Sequence, residues 1–367
     1  MTTTGELRRR LERTRGELRR RRVDGLVVSP GADLRYLCGL DAHLDERLTA
    51  LVVPADAGPT LIVPELERGA AAESLAGGLD AEIIGWSDTQ DPYRLVAASV
   101  RGTQIAVSSR MWAGHVFGLQ DCGLQPRDGQ GIMSTLRAVK SAEEVDALRR
   151  AAHAIDAVHG EIDQWLRPGR TENEVAVDLD AAIRAVGHAR VDFVIVASGP
   201  NGAHPHHLAS DRMIEPGDLV VVDIGGTMPD GYCSDSTRTY AAGREPSERG
   251  RRVHELVAEA AEAGRRASCP GVPATDVDAA ARRVIRDGGF GAEFVHRTGH
   301  GIGLDTHEEP YIVEGNASPL ADGAVFSVEP GIYLPGELGV RIEDIVAARS
   351  AGPDVLTEAP RELRVVG

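Results

Sequence analysis

The residues of this chain best suited to chemistry are acids standing where hydrophobic patterning forbids them. Asp223 interrupts the apolar run DLVVVDIGG (218–226), and Asp235 follows in YCSDSTRTY (232–240). A turn signal at Met228 to Gly231, containing Pro229 and Asp230-Gly231, separates the two runs. They should therefore pair as a hairpin and bring both carboxylates into one small volume. A buried carboxylate is costly unless it is paired or binds a metal, and two close together cannot both stay ionised without a cation. Taken alone, either acid could instead cap a turn at a strand end.

Two further acids repeat the conflict. Glu329 closes the apolar run in AVFSVEPGIY (324–333), and Glu343 lies inside GVRIEDIV (339–346). Strand alternation puts Arg341 and Glu343 on one face, where a plain salt bridge would also account for the pair. Between these motifs, FVHRTGHGIGLDTHEEP (294–310) gathers His296, His300 and His307 among glycines that would let backbone come close to a ligand. It has no P-loop lysine and no GxGxxG spacing, which disfavours nucleotide binding. Four carboxylates and an imidazole, with no thiolate, match the oxygen and nitrogen donors of a paired divalent metal site. Such ions lie roughly 3.5–4 Å apart, polarise a carbonyl and generate hydroxide near neutral pH, so hydrolysis is the natural reaction.

The elements that must position these groups read as follows. Residues 1 to about 135 alternate helical patterns with short apolar runs at 25–30, 50–55, 60–65, 82–86 and 104–109, which predicts an α/β layer domain. A capping box, Ser141 with Glu144, opens a long amphipathic helix and marks a second domain from 136 to 367. There we expect helices at 141–166 and 171–186, a strand near 193–198, the hairpin at 218–240, helices at 247–267 and 273–287, and several short strands. Blocks of helix and strand without strict alternation make this domain α+β.

With 367 residues and 42% hydrophobic content the chain can bury a substantial core. Its net charge of −16 would repel a phosphate backbone, so nucleic acid is not an expected partner. Cys38, Cys122, Cys233 and Cys269 are widely spaced and fit a reducing, cytoplasmic setting. No stretch reaches the length of a membrane span or has the apolar core of a signal peptide. The arginine-rich start (GELRRRLERTRGELRRRR) carries Leu7, Leu11 and Leu18 at helical spacing and reads as a solvated helix face.

The order Asp, Asp, His, Glu, Glu in these local wordings resembles the pita-bread metallopeptidase family of prolidase, aminopeptidase P and methionine aminopeptidase. PGADLRYLCGLD (30–41) resembles the N-terminal domain of prolidases and aminopeptidases P, which extends the likeness over nearly the whole chain. The resemblance implies a pita-bread catalytic domain preceded by a smaller creatinase-type α/β domain. It also implies two divalent ions per subunit, manganese or cobalt, with zinc or iron compatible. Asp223 would bind one ion, Asp235 and Glu343 would bridge, and His300 and Glu329 would hold the second. His206, in ASGPNGAHPHH (197–207), would contact the substrate or leaving group, while His296 and His307 would steady substrate and tetrahedral intermediate. Arg341 would support the site or the substrate, and Glu329 would also relay a proton to the leaving nitrogen. Phe193 would wall the substrate pocket, although a core position serves it equally well.

The implied reaction is cleavage of Xaa-Pro bonds in dipeptides or short peptides. Some prolidases carry an arginine where this chain has Tyr311, so aminopeptidase P activity on longer peptides stays open beside the dipeptidase expected here. A metal-dependent hydrolase or lyase of a small metabolite, and a catalytically inactive binding module, are further alternatives. Homodimers are common in the family.

Overall fold

In the computed structural model, which describes residues 2–367, the chain divides into two compact units at Arg137 and Ala138. The first opens with the helix Thr4–Arg21, whose Thr3 cap accepts a hydrogen bond from the Glu6 amide. Leu7, Leu11 and Leu18 are buried on one side of it, as their spacing predicts. Arg10 departs from the expected solvated face: it is buried, with its guanidinium 4.1 Å above the Tyr36 ring. A six-stranded sheet follows, in the spatial order Glu82–Trp86, Thr60–Pro64, Ala50–Pro54, Gly25–Val28, Gln104–Val107, Gln125–Asp128. Five of these strands coincide with the apolar runs of the sequence. The sixth, QPRD, has no apolar side chain except proline and gave no signal.

In the second unit, helices Ala142–Gly160 and Glu172–Ala185 pack on a sheet formed by Arg190–Ser198, Leu219–Thr227, Cys233–Ala242 and Val365–Val366. The first helix stops at Gly160 rather than 166, where glycine weakens the helix and a short 3-10 turn, Ile162–Gln164, takes over. Alternation along Leu219–Thr227 decides what the sheet can do. Val220, Val222 and Ile224 join the apolar core under the helices. Asp223 and Gly225 therefore fall on the opposite face. Helices Glu248–Ala267 and Ala274–Asp287 close a second core with Ile332, Leu334, Val340 and Ile342.

The expected continuous strand at 339–346 is two strands. Leu338–Arg341 pairs with Gly331–Leu334, whereas Asp344–Ala347 pairs with Val325–Val328 in a five-stranded sheet. Glu343 sits at the crossing between the two sheets.

Candidate metal centre

The Leu219–Thr227 and Cys233–Ala242 strands form an antiparallel hairpin with Asp223 opposite Thr237 and Gly225 opposite Asp235. The two acids are thus diagonal neighbours on one face, in the one small volume that the hairpin predicted. Glu343 reaches the same volume because its amide donates to the Thr237 carbonyl at 3.1 Å. The Thr237 hydroxyl donates to Glu343 Oε2 at 2.9 Å. His300 comes from the short strand Gly299–Gly301, held between Glu308–Ile312 and Val325–Val328. Glu329 follows the latter strand, with its amide on the Thr298 carbonyl at 2.7 Å. The glycines beside His300 serve strand packing rather than ligand approach. A Cβ on Gly299 would lie 1.8 Å from the Ser327 carbonyl oxygen, and one on Gly301 would lie 2.3 Å from that of Glu309.

Donor atoms of Asp223, Asp235 and Glu343 lie within 4.8 Å of one another, as do those of His300, Glu329 and Glu343, and those of Asp235, His300 and His307. His300 Nδ1 donates to the Gly301 carbonyl at 3.1 Å, which leaves Nε2 unprotonated. That lone pair points at two carboxylates, 3.3 Å from Glu329 Oε1 and 3.6 Å from Asp235 Oδ2. Among the described residues, Asp223 Oδ1 and Glu343 Oε1 are buried without a hydrogen-bond partner. Burial, then the neighbouring Glu343, Asp223 and Glu329, drives the Asp235 carboxyl far above its ordinary range. Burial, then Glu329 and Asp223, does the same to Glu343. Glu329 is pushed up to about 7, chiefly by burial. Burial, then the neighbouring His307, brings His300 down to about 3. Unprotonated nitrogen facing carboxylate oxygens, with two oxygens orphaned, is a set of donors arranged for cations. The residues present fit a pair of divalent ions.

Arg341 meets Asp223 rather than Glu343: Nη2 donates to Asp223 Oδ2 at 2.6 Å, and Nε donates to the Thr237 hydroxyl at 3.2 Å. Its Nη1 donates to the Tyr333 hydroxyl at 2.9 Å. Because His296 Nδ1 donates to the Arg297 carbonyl, Tyr333 donates in turn to His296 Nε2 at 2.7 Å. Burial brings His296 down to about 4 and keeps that imidazole neutral. Behind Glu343, the buried Asp344 binds Arg238, Arg265 and Arg361 at 2.9, 2.6 and 2.6 Å. Burial favours its neutral form, but these arginines outweigh it and hold the carboxyl at about 2. Tyr333, Thr237, Ser327 and Asp344 were not singled out in the sequence. Each is an ordinary polar residue on a strand, with no conflict between residue type and local pattern to mark it.

These groups line a cavity of about 710 Å³, with Phe193, His206, His296, Arg297 and His307 on its walls. The Phe193 ring occupies the space a Gly225 side chain would need. Tyr311 does not line the cavity; its ring lies 4.5 Å beneath the Arg297 guanidinium.

Among known proteins, metallopeptidase family M24 matches residues 146–350, and the creatinase/prolidase N-terminal domain matches residues 10–139. The probable dipeptidase PepE of Mycobacterium tuberculosis is 50% identical over 345 residues, 93% of this chain and 92% of that one. The Xaa-Pro dipeptidase of Lactobacillus delbrueckii subsp. lactis is 33% identical over 369 residues, 97% and 98% of the two chains. The crystal structure of dipeptidase PepE from Mycobacterium ulcerans superposes with a TM-score of 0.95 at 49% identity, covering 100% of this chain and 99% of that one.

Proposed function

The chain belongs to metallopeptidase family M24, and on that premise we propose that it is an Xaa-Pro dipeptidase whose metal ligands are Asp223, Asp235, His300, Glu329 and Glu343. The observation that carries the reading is the pair of orphaned carboxylate oxygens, on Asp223 and Glu343, beside an unprotonated imidazole nitrogen. Asp235, Glu343 and His300 each belong to two of the donor clusters, and of these the two carboxylates, with two oxygens apiece against one free imidazole nitrogen, are favoured as the bridging pair. By family resemblance we assign manganese or cobalt to the site; zinc and iron accept the same oxygen and imidazole donors. When bound, the two ions supply polarisation of the scissile carbonyl and an activated water near neutral pH.

The remaining work falls to the protein's own side chains. Glu329, a cavity-lining carboxylate 3.3 Å from His300 Nε2, takes a proton from the attacking water and returns it to the leaving nitrogen. Arg341 pairs with Asp223 and, through Tyr333, fixes His296 as a neutral imidazole at the cavity wall. His206 and His307 contact the substrate, and Phe193 packs against its apolar part.

A dipeptide must also find a cation for its free carboxylate. Arg297 lines the cavity and makes no ion pair among the described residues, which supports the dipeptidase reading over an aminopeptidase of longer peptides. The catalytic domain spans 136–367, the smaller domain 1–135, and the protein acts as a cytoplasmic homodimer. All four cysteines are free, in keeping with a reducing compartment. No helix among the described residues is long and apolar enough to cross a membrane. Assaying Mn²⁺- or Co²⁺-loaded protein on Ala-Pro and on Ala-Pro-Ala tests the function: faster turnover of the dipeptide is expected. Absence of hydrolysis of either peptide with metal bound would refute it.

A further inference from the structure

Glu172, at the start of the helix Glu172–Ala185, is a fully buried carboxylate outside the metal centre. Its Oε1 accepts from the Ser198 amide at 2.8 Å, the Ser198 hydroxyl at 2.7 Å and Asn201 Nδ2 at 3.0 Å. Its Oε2 accepts from His207 Nε2 at 2.8 Å, the Ser210 amide at 3.1 Å and the Ser210 hydroxyl at 2.6 Å. The donors come from both ends of one loop, residues 199–210, which leaves the strand Arg190–Ser198 and carries Pro205, His206, His207 and Leu208 into the cavity wall. Burial favours the neutral carboxyl, but the hydrogen bonds outweigh it and bring the group down to about 2, so Glu172 is ionised.

His206 itself is exposed in the cavity and makes no side-chain hydrogen bond among the described residues. Its place therefore depends on its backbone. That backbone is a turn in which the His204 amide donates to Asn201 and the His207 amide to His204, at 3.0 and 3.1 Å. On the metal side, Arg341 Nη1 donates to the Pro205 carbonyl at 3.2 Å. On the opposite side Glu172 collects the largest group of side-chain ties to the loop, beside a link through Ser198 and Arg212 to Asp218, the Asn201 Nδ2 bond to Ser210 Oγ at 3.3 Å and the Asn173 amide bond to the Ser210 carbonyl at 3.0 Å.

We infer that Glu172 is a positioning residue, the anchor that holds the 199–210 loop in the conformation presenting His206 to substrate. The inference rests on the reading of His206 as a substrate contact. A glutamine at 172 keeps the shape but replaces one accepting oxygen with an NH₂ that faces fixed donors, so the two ends of the loop lose their common anchor.

The test is a double-mutant cycle on the metal-loaded enzyme with Ala-Pro, using Glu172→Gln, His206→Ala and the double variant. Each single change is expected to raise KM by roughly tenfold, about the loss of one hydrogen bond to a charged group, with kcat within about twofold of the parent. The double variant should be no worse than His206→Ala, and bound metal per chain should be unchanged in all three. Additive effects of Glu172→Gln and His206→Ala on KM would overturn the positioning role while leaving the His206 reading intact. An unchanged KM in His206→Ala would instead remove the substrate contact and the inference with it. Should Glu172→Gln not fold, Ser210→Ala, which takes away the shortest of these bonds, enters the same cycle with the same criterion.

Discussion

Asp235 contributes an oxygen to two of the three donor clusters, and its burial beside three neighbouring acids drives it to the neutral form unless cations compensate the charge. Neutralising it removes a ligand without changing the shape. Asp235→Asn should lower turnover by more than the roughly 10–100-fold typical of a residue that merely supports a ligand, with loss of bound metal. Tyr333 plays a different part, passing a hydrogen bond between Arg341 and His296. Tyr333→Phe should keep both ions and lower kcat/KM about tenfold, read by metal analysis alongside steady-state kinetics. What the sequence disclosed at this scale was conflict: an acid in an apolar strand contradicts its surroundings, as Asp223 and Glu343 do. Tyr333 and Thr237 contradict nothing. Thr237 acquires its role from Glu343, 106 positions away, and no local pattern encodes that distance.

The elements explain how precise placement is achieved without long side chains. His300 stands on a three-residue strand squeezed between two others, and the squeeze is possible because Gly299 and Gly301 have no Cβ. Gly299→Ala should separate this strand from Ser327, displace His300, and lower both thermal stability and retained metal. A variant with parental melting temperature and metal content would contradict this view of the strand. The hairpin was legible because its turn chemistry and alternation agree. The break at Glu343 was not, since GVRIEDIV is equally apolar on both sides of the point where the chain leaves one sheet for another. That crossing is fixed by Asp344 and its three arginines, contributed by segments on either side in sequence.

Across the whole molecule, acid sensitivity can be separated from the metal site by way of His254, a buried imidazole on the Glu248–Ala267 helix that burial brings from 6.5 down to about 4. Below pH 6.5 the unfolded chain binds a proton there that the folded chain refuses until about pH 4. Stability therefore falls as pH drops through that window, by up to about 3 kcal/mol, and has no contribution from this group above it. His254→Leu should reduce the slope of unfolding stability against pH between 6.5 and 4, the remainder coming from the other buried histidines, when chelator-treated proteins are compared by denaturant melts. Family membership spans both units. The account as a whole stands on the buried acids acting as a two-ion centre. Its most direct test is the metal content of chelator-stripped, Mn²⁺-reloaded protein beside its Asp235→Asn variant, with Ala-Pro hydrolysis measured on the same samples. The account predicts two ions per chain and hydrolysis in the parent, with both lost in the variant; a variant that keeps two ions and parental turnover would contradict it.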